Sequence, residues 1–288
     1  MVNWQTSGDS MGLAEMLALL NRLRGHASAL GCRINPSSRV AIFERNLRRF
    51  SKPGYDPRRD ADFDPAILAH GTRDVRELTF ICDKLVPKDR AKVRTALPDL
   101  LSGSITGEGR NQTARNLQFE LFIAAQLAHS GFTVTLEEPD MVFVHEGTSL
   151  AVAAKRVVSG RQVVSRVREG VQQLARVGDG GLIALSLDRL IPAENPYVVA
   201  GGEQGLDSAT ETLLDETFRP FAPAVHQAIA RTTITGLVSS LTVVGFVRVP
   251  WQPAHATRTL WMARDDHLPE ESGLVRRIVE VLWAPSDP

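Results

Sequence analysis

Three side chains in the middle of the chain are of types that do chemistry. Glu120 falls between Leu117 and Ala124, on an apolar stripe completed by Leu121 and Ala128 at helical spacing. A carboxylate on such a stripe must be paired, hydrogen-bonded or set beside a metal, because burying a bare charge is costly. The plain alternative is the edge of the stripe, where it reaches solvent or an arginine such as Arg115 or Arg156. Asp140 directly follows Pro139 and opens an apolar run. Both residues favour turns, so a turn is its simplest role. Lys155 ends the run Leu150-Ala151-Val152-Ala153-Ala154, which holds no polar residue. A lysine there either meets an anion or snorkels into solvent. Carboxylates and an amine brought together could hold a divalent cation through hard oxygen ligands. They could also stabilise charge on a phosphate under attack.

The elements that must position these residues can be read from the periodicity. Asn111 to Ser130 reads as a helix stopped by Gly131. Phe132–Glu137, Met141–His145 and Leu150–Val158 read as strands, with a tight turn at Glu146-Gly147. Val163–Val177 reads as a helix, and Gly181–Leu187 as a buried strand. Strand alternation puts Ala151, Ala153 and Lys155 on one face. Upstream, the first hundred residues read as helical, with helices carried by Leu13–Leu23, Val40–Phe50, Ile67–Leu85 and Lys88–Leu101. The flexible run Ser102–Gly109 suggests a boundary, giving a helical domain at 1–105 and an α/β domain at 106–288. Downstream come a polar loop (Pro192–Ser208), a helix near Leu213–Ala230, strands near Leu241–Val249 and Thr259–Ala263, and a last helix near Gly273–Leu282.

The helix after Lys155 is basic. Lys155, Arg156, Arg161, Arg166, Arg168 and Arg176 stand against Glu169 alone, an excess of five positive charges. Such a group can contact several phosphates, although a solvated helix face would look the same. Gln172 and Gln173 follow on the same helix.

A helix glutamate, Pro139-Asp140 opening the second strand, a hairpin, a lysine ending the third strand and then a basic helix with glutamines: this arrangement over residues 111–190 resembles the PD-(D/E)xK nuclease superfamily. The resemblance implies an α/β fold of the restriction-endonuclease-like type, a mixed sheet flanked by helices, here preceded by the helical domain. It implies Asp140 as a metal ligand, Lys155 as the catalytic lysine, Glu120 as a supporting ligand and Gln172 or Gln173 as lining for the site. It also implies Mg²⁺ as cofactor and DNA as partner, with RNA as a second candidate. Arg156, Arg161, Arg166 and Arg168 would meet the nucleic acid. One position departs from the pattern. The triplet reads Ala153-Ala154-Lys155, so alanine stands where the family carries its second acid. Mg²⁺ would then be held weakly. Three readings follow: a degenerate member that binds without cutting, a form inactivated by a glutamate-to-alanine change, or an acid supplied instead by Glu120, Glu137 or Glu138.

Composition narrows the alternatives. With 33 Lys+Arg against 33 Asp+Glu the net charge is zero, which argues against a protein that coats nucleic acid indiscriminately. Hydrophobic residues make up 43% and charged residues 23%, which excludes wholesale disorder. No apolar stretch is long enough for a membrane span, and no signal-peptide pattern opens the chain. Cys32 and Cys82 match no metal or redox spacing and are expected as buried thiols in a reducing, cytoplasmic setting. The seven histidines show no HExxH spacing, Gly201-Gly202 and Gly205 form no phosphate loop, and an acyl hydrolase is not expected. Trp251, Trp261 and Trp283 are expected to pack rather than stack on bases. The reading is therefore a Mg²⁺-dependent DNA endonuclease-like protein impaired at Ala153. The alternatives are a non-catalytic nucleic-acid-binding or scaffold protein with the nuclease fold, and a subunit whose basic helix meets an acidic protein. A homo-oligomer is compatible with each.

Overall fold

The computed structural model describes residues 3–263 except 53–54, 56–59, 61, 106–112, 138, 146, 179, 192–195, 231 and 249–250, and also residue 278. Apart from Ile278, the expected helix at 273–282 lies outside the described residues, as do Trp283, the start of the expected helix at Asn111, Glu138 and Glu146.

Among the described residues the helices are α1 (Leu13–Ala29), α2 (Arg39–Phe50), α3 (Pro65–Leu85), α4 (Arg90–Leu101), α5 (Thr113–His129), α6 (Val163–Leu174), α7 (Glu203–Phe218) and α8 (Ala222–Ile229). The strands are β1 (Asn3–Ser10), β2 (Thr133–Thr135), β3 (Met141–His145), β4 (Thr148–Arg156), β5 (Leu182–Ser186), β6 (Val198–Ala200), β7 (Gly236–Arg248) and β8 (Trp251–Ala263). All eight strands join one mixed sheet in the order β1-β8-β7-β5-β4-β3-β2, with β6 added alongside β7. β2, β3 and β4 form an antiparallel meander, and β4, β5 and β7 run parallel. The α/β class and the mixed sheet are thus present.

Two apolar layers cover the sheet. On one face α1–α5 pack against Phe143, Val152, Ala184 and Val238. On the other, α6–α8 pack against Ala153, Ile183, Leu185 and Leu237. Alternation along β4 explains the split: Val152 and Ala154 enter the first layer, Ala153 the second. The first layer joins Leu20 and Leu78 to Leu121 and Met141, so this core runs across residue 105. The chain start also differs from an all-helical reading. Asn3–Ser10 is a strand, paired antiparallel with Trp261–Ala254 of β8.

The segment that carries the site needs two glycines. The β3–β4 hairpin turns through Gly147 at φ 82°, a left-handed conformation that side chains disfavour. On α6, a Cβ at Gly170 would lie 3.1–3.3 Å from Ile183, so glycine lets this helix settle closely on β5. No helix among the described residues is long and apolar enough to cross a membrane.

Candidate functional site

The site forms where β3 stops and β4 continues. Their last antiparallel pair is Met141 with Val152. Beyond it β4 keeps its other neighbour, with Lys155 paired to Leu185 of β5. Asp140 leaves the ladder at this point, and its carboxylate supplies the missing acceptor. The Ala154 backbone N–H donates to Asp140 Oδ2 at 2.7 Å. Lys155 Nζ donates to the same oxygen at 3.0 Å and to the Ala154 carbonyl at 3.2 Å. From α6, Gln173 Nε2 donates to Asp140 Oδ1 at 3.3 Å and to the Pro139 carbonyl. The acid and the lysine are therefore joined, and α6 is tied to them.

A cleft of about 400 Å³ opens beside this pair, between α5 and α6. α5 contributes Asn116, Phe119 and Glu120. The end of β4 contributes Ala154, Lys155 and Arg156, and α6 with the turn after it contributes Arg166, Glu169, Gln172, Gln173 and Arg176. Cations outnumber carboxylates in this lining by four (Lys155, Arg156, Arg166, Arg176) to two (Glu120, Glu169). Two of those cations are matched, Lys155 donating to Asp140 at 3.0 Å and Arg166 to Glu169 at 2.6 Å. Burial pulls Arg156 down to about 10, partly offset by Asp188, so it stays charged near neutrality.

The residues singled out from sequence divide cleanly. Glu120 is half-buried on the cleft wall. Gln172 lines the cleft too, but Gln173 makes the contacts to Asp140. Arg156 and Arg166 are in the lining, whereas Arg161 and Arg168 are exposed and outside it. Ala153 is fully buried in the α6-side layer with Val163 and Val167. Glu137 is exposed. Arg115 is committed away from the cleft, to Asp74 and to the Ser104 and Ile105 carbonyls. Among the described residues no group of three or more His, Cys, Asp or Glu is placed to hold a metal ion. Of the tryptophans, Trp261 is buried and Trp251 is 40% exposed, stacked on Phe246. Asn116, Phe119 and Arg176 were not singled out as site residues from sequence. Helical spacing along Arg166, Glu169, Gln173 and Arg176 is the signal that marks their common face.

Beneath the cleft lies a buried charge network invisible to local pattern. Arg39 of α2 donates to Asp74 of α3 at 3.2 Å and to the Leu100 carbonyl at 3.0 Å. Arg115 of α5 donates to the other oxygen of Asp74. Arg73 stands 3.6 Å from Glu77 and 3.5 Å from Asp188, which in turn accepts the Thr242 N–H at 2.8 Å. The network thus fastens α2, α3 and α5 to one another and, through Asp188, to the turn after β5 and to β7.

Asp140→Ala should destabilise the protein by about 2–4 kcal/mol, since it strands a largely buried ammonium and a backbone N–H. Adding Lys155→Met should recover part of that loss in urea unfolding. Additive losses from the two changes would mean that the pair is not coupled.

One further motif needs placing. Gly8-Asp9-Ser10-Met11-Gly12 has the G-x-S-x-G spelling of a nucleophile turn. Ser10 Oγ donates to Glu203 and accepts from Gln252, both at 2.6 Å, and these contacts supply no histidine base. Comparison with protein-family models, curated proteins and solved structures finds no match for this chain.

Proposed function

We propose that this chain is a nucleic-acid-binding protein with a restriction-endonuclease-like core whose phosphodiesterase site is disabled at Ala153. The observation that carries the reading is the meeting of Asp140 and Lys155 at 3.0 Å on the rim of a basic cleft. Further support comes from the order α5, β2, β3, β4, α6, β5, with α5 and α6 on opposite faces of the sheet.

The residues present do not suit Mg²⁺. Both Asp140 oxygens already accept hydrogen bonds, and Ala153 has no oxygen to offer. A hard cation needs several anionic or carbonyl oxygens at once. What remains is phosphate recognition: Lys155, Arg156 and Arg176 face the cleft, Asn116 and Gln172 add amide donors, and Phe119 adds an aromatic wall. DNA is the first substrate to test and RNA the second. The free thiols at Cys32 and Cys82 suit a reducing, cytoplasmic setting.

The test is the salt dependence of binding to a labelled DNA oligonucleotide, repeated with RNA. Lys155→Met combined with Arg176→Gln should weaken binding and flatten the log–log salt slope by roughly two units. Arg161→Ala with Arg168→Ala, outside the cleft, should leave most of the slope intact. Equal effects from both pairs would return the basic helix to a merely solvated face, and no binding by the native chain would end the proposal.

A further inference from the structure

Behind the cleft, on the α3/α5 side of the sheet, lies a second cavity of about 30 Å³. Its floor is a row of hydroxyls: Ser186 at the end of β5, Ser240 and Thr242 in the middle of β7, and Thr257 in the middle of β8. Arg73 and Glu77 of α3 and Arg115 and Gln118 of α5 cover it, with Asp188 beside them. Arg156 and Phe119 line both cavities and form the wall between them.

Charge does not balance here. Arg39, Arg73, Arg115 and Arg156 are gathered around Asp74, Glu77 and Asp188, which leaves one positive charge over. Arg76, the next cation along α3, reaches His255. Hydrogen bonding does not balance either. The Nε atoms of Arg115 and Arg156 and the Ser186 hydroxyl are buried with no hydrogen-bond partner, and Arg73 Nε comes only to 3.6 Å from the Glu77 carboxylate. These four residues all line the cavity, and Arg73, Arg115 and Ser186 are only 6%, 4% and 1% exposed. Buried donors of this kind are costly unless something accepts from them.

We infer that this cavity is a binding site for one small inorganic anion of the halide type. Its volume suits about two waters or one monatomic anion. An anion would accept from the unpartnered guanidinium N–H groups and the serine hydroxyl through charge-assisted bonds. It would also neutralise the surplus charge, which two waters would leave standing. By engaging Arg156 from behind, it would hold the wall shared with the cleft. The inference is independent of what the cleft binds.

Crystals of the full chain soaked in bromide, with melting curves in chloride against gluconate at constant ionic strength, test this. The expected result is an anomalous bromide peak among Arg73, Arg115, Arg156 and Ser186, and a melting temperature that rises and saturates with chloride. Ser186→Ala should need about tenfold more chloride for the same rise, as one charge-assisted bond is lost. Water density without an anomalous peak would overturn the inference. So would a melting temperature indifferent to chloride, or a chloride response unchanged in Ser186→Ala.

Discussion

Asp74→Ala is expected to cost the fold about 3–5 kcal/mol, enough to leave a domain of ordinary stability largely unfolded under mild denaturant. The side chain is 2% exposed and accepts from Arg39 and Arg115, with Arg73 at 3.7 Å. Its removal would leave three guanidinium groups in an apolar layer with too little negative charge. Asp74→Asn keeps the shape and removes the charge, so it should lose nearly as much. The pH dependence follows from the same contacts. Burial alone would raise the Asp74 carboxyl, but Arg115, Arg39 and Arg73 outweigh it and hold the group well below the usual carboxylate range. A depressed folded value means that the stabilisation is complete above the unfolded value near ~4 and is lost as pH falls through the folded one. The native chain should therefore lose stability more steeply than Asp74→Asn as pH drops below about 4. Urea unfolding at pH 7 and across the acid range checks both points. A variant within about 1 kcal/mol of native, with the same acid slope, would mean that the network carries little of the fold.

How far the fold was legible depended on how local its signals are. The run from α5 to β5 was readable because each element has its own period and its own stop: Gly131 after α5, Gly147 in the hairpin, the glycines before Leu182. β1 was not readable, since Asn3–Ser10 is polar and becomes a strand only through pairing with the far end of the chain. The apolar spacing from Leu213 to Ala230 suggested one helix. Pro220 and Pro223 instead mark a break into α7 and α8, and α7 begins at Glu203, inside a segment whose glycines suggested a loop. β7 and β8 are longer than their clearest apolar runs because each stabilises the polar stretches of the other through a 13-residue ladder. At the site, Lys155 stood out because a lysine after five apolar residues violates its surroundings, whereas Asp140 after proline looks alone like a turn residue and gained weight only from its place in the order of elements. The network around Asp74 did not, because its partners lie 35 and 41 residues away and each arginine alone looks like a surface residue.

The second large effect concerns Ala153. The β3–β4 pairing ends at Met141–Val152; its register continued by one step would set Ala153 opposite Asp140, and strand alternation puts Ala153 on the face of Lys155. It is fully buried, so Ala153→Glu should first destabilise the protein by about 1–3 kcal/mol through overpacking and an added buried charge. A divalent cation should reverse part of that loss, since the new carboxylate and Asp140 would together supply oxygens that neither supplies alone. The melting temperature of the variant should rise with Mg²⁺ or Mn²⁺, while that of the native chain should not.

The most direct single measurement is cleavage of a labelled DNA duplex in Mg²⁺ by the native chain and by folded Ala153→Glu, side by side. The account predicts no cleavage by the native chain and a gain of at least about 100-fold in the variant, abolished again by Asp140→Ala. Robust cutting by the native chain, lost on Glu120→Ala, would contradict it by placing the missing acid on α5. A folded Ala153→Glu that neither binds metal nor cuts would contradict it as well, because position 153 would then never have been a ligand position.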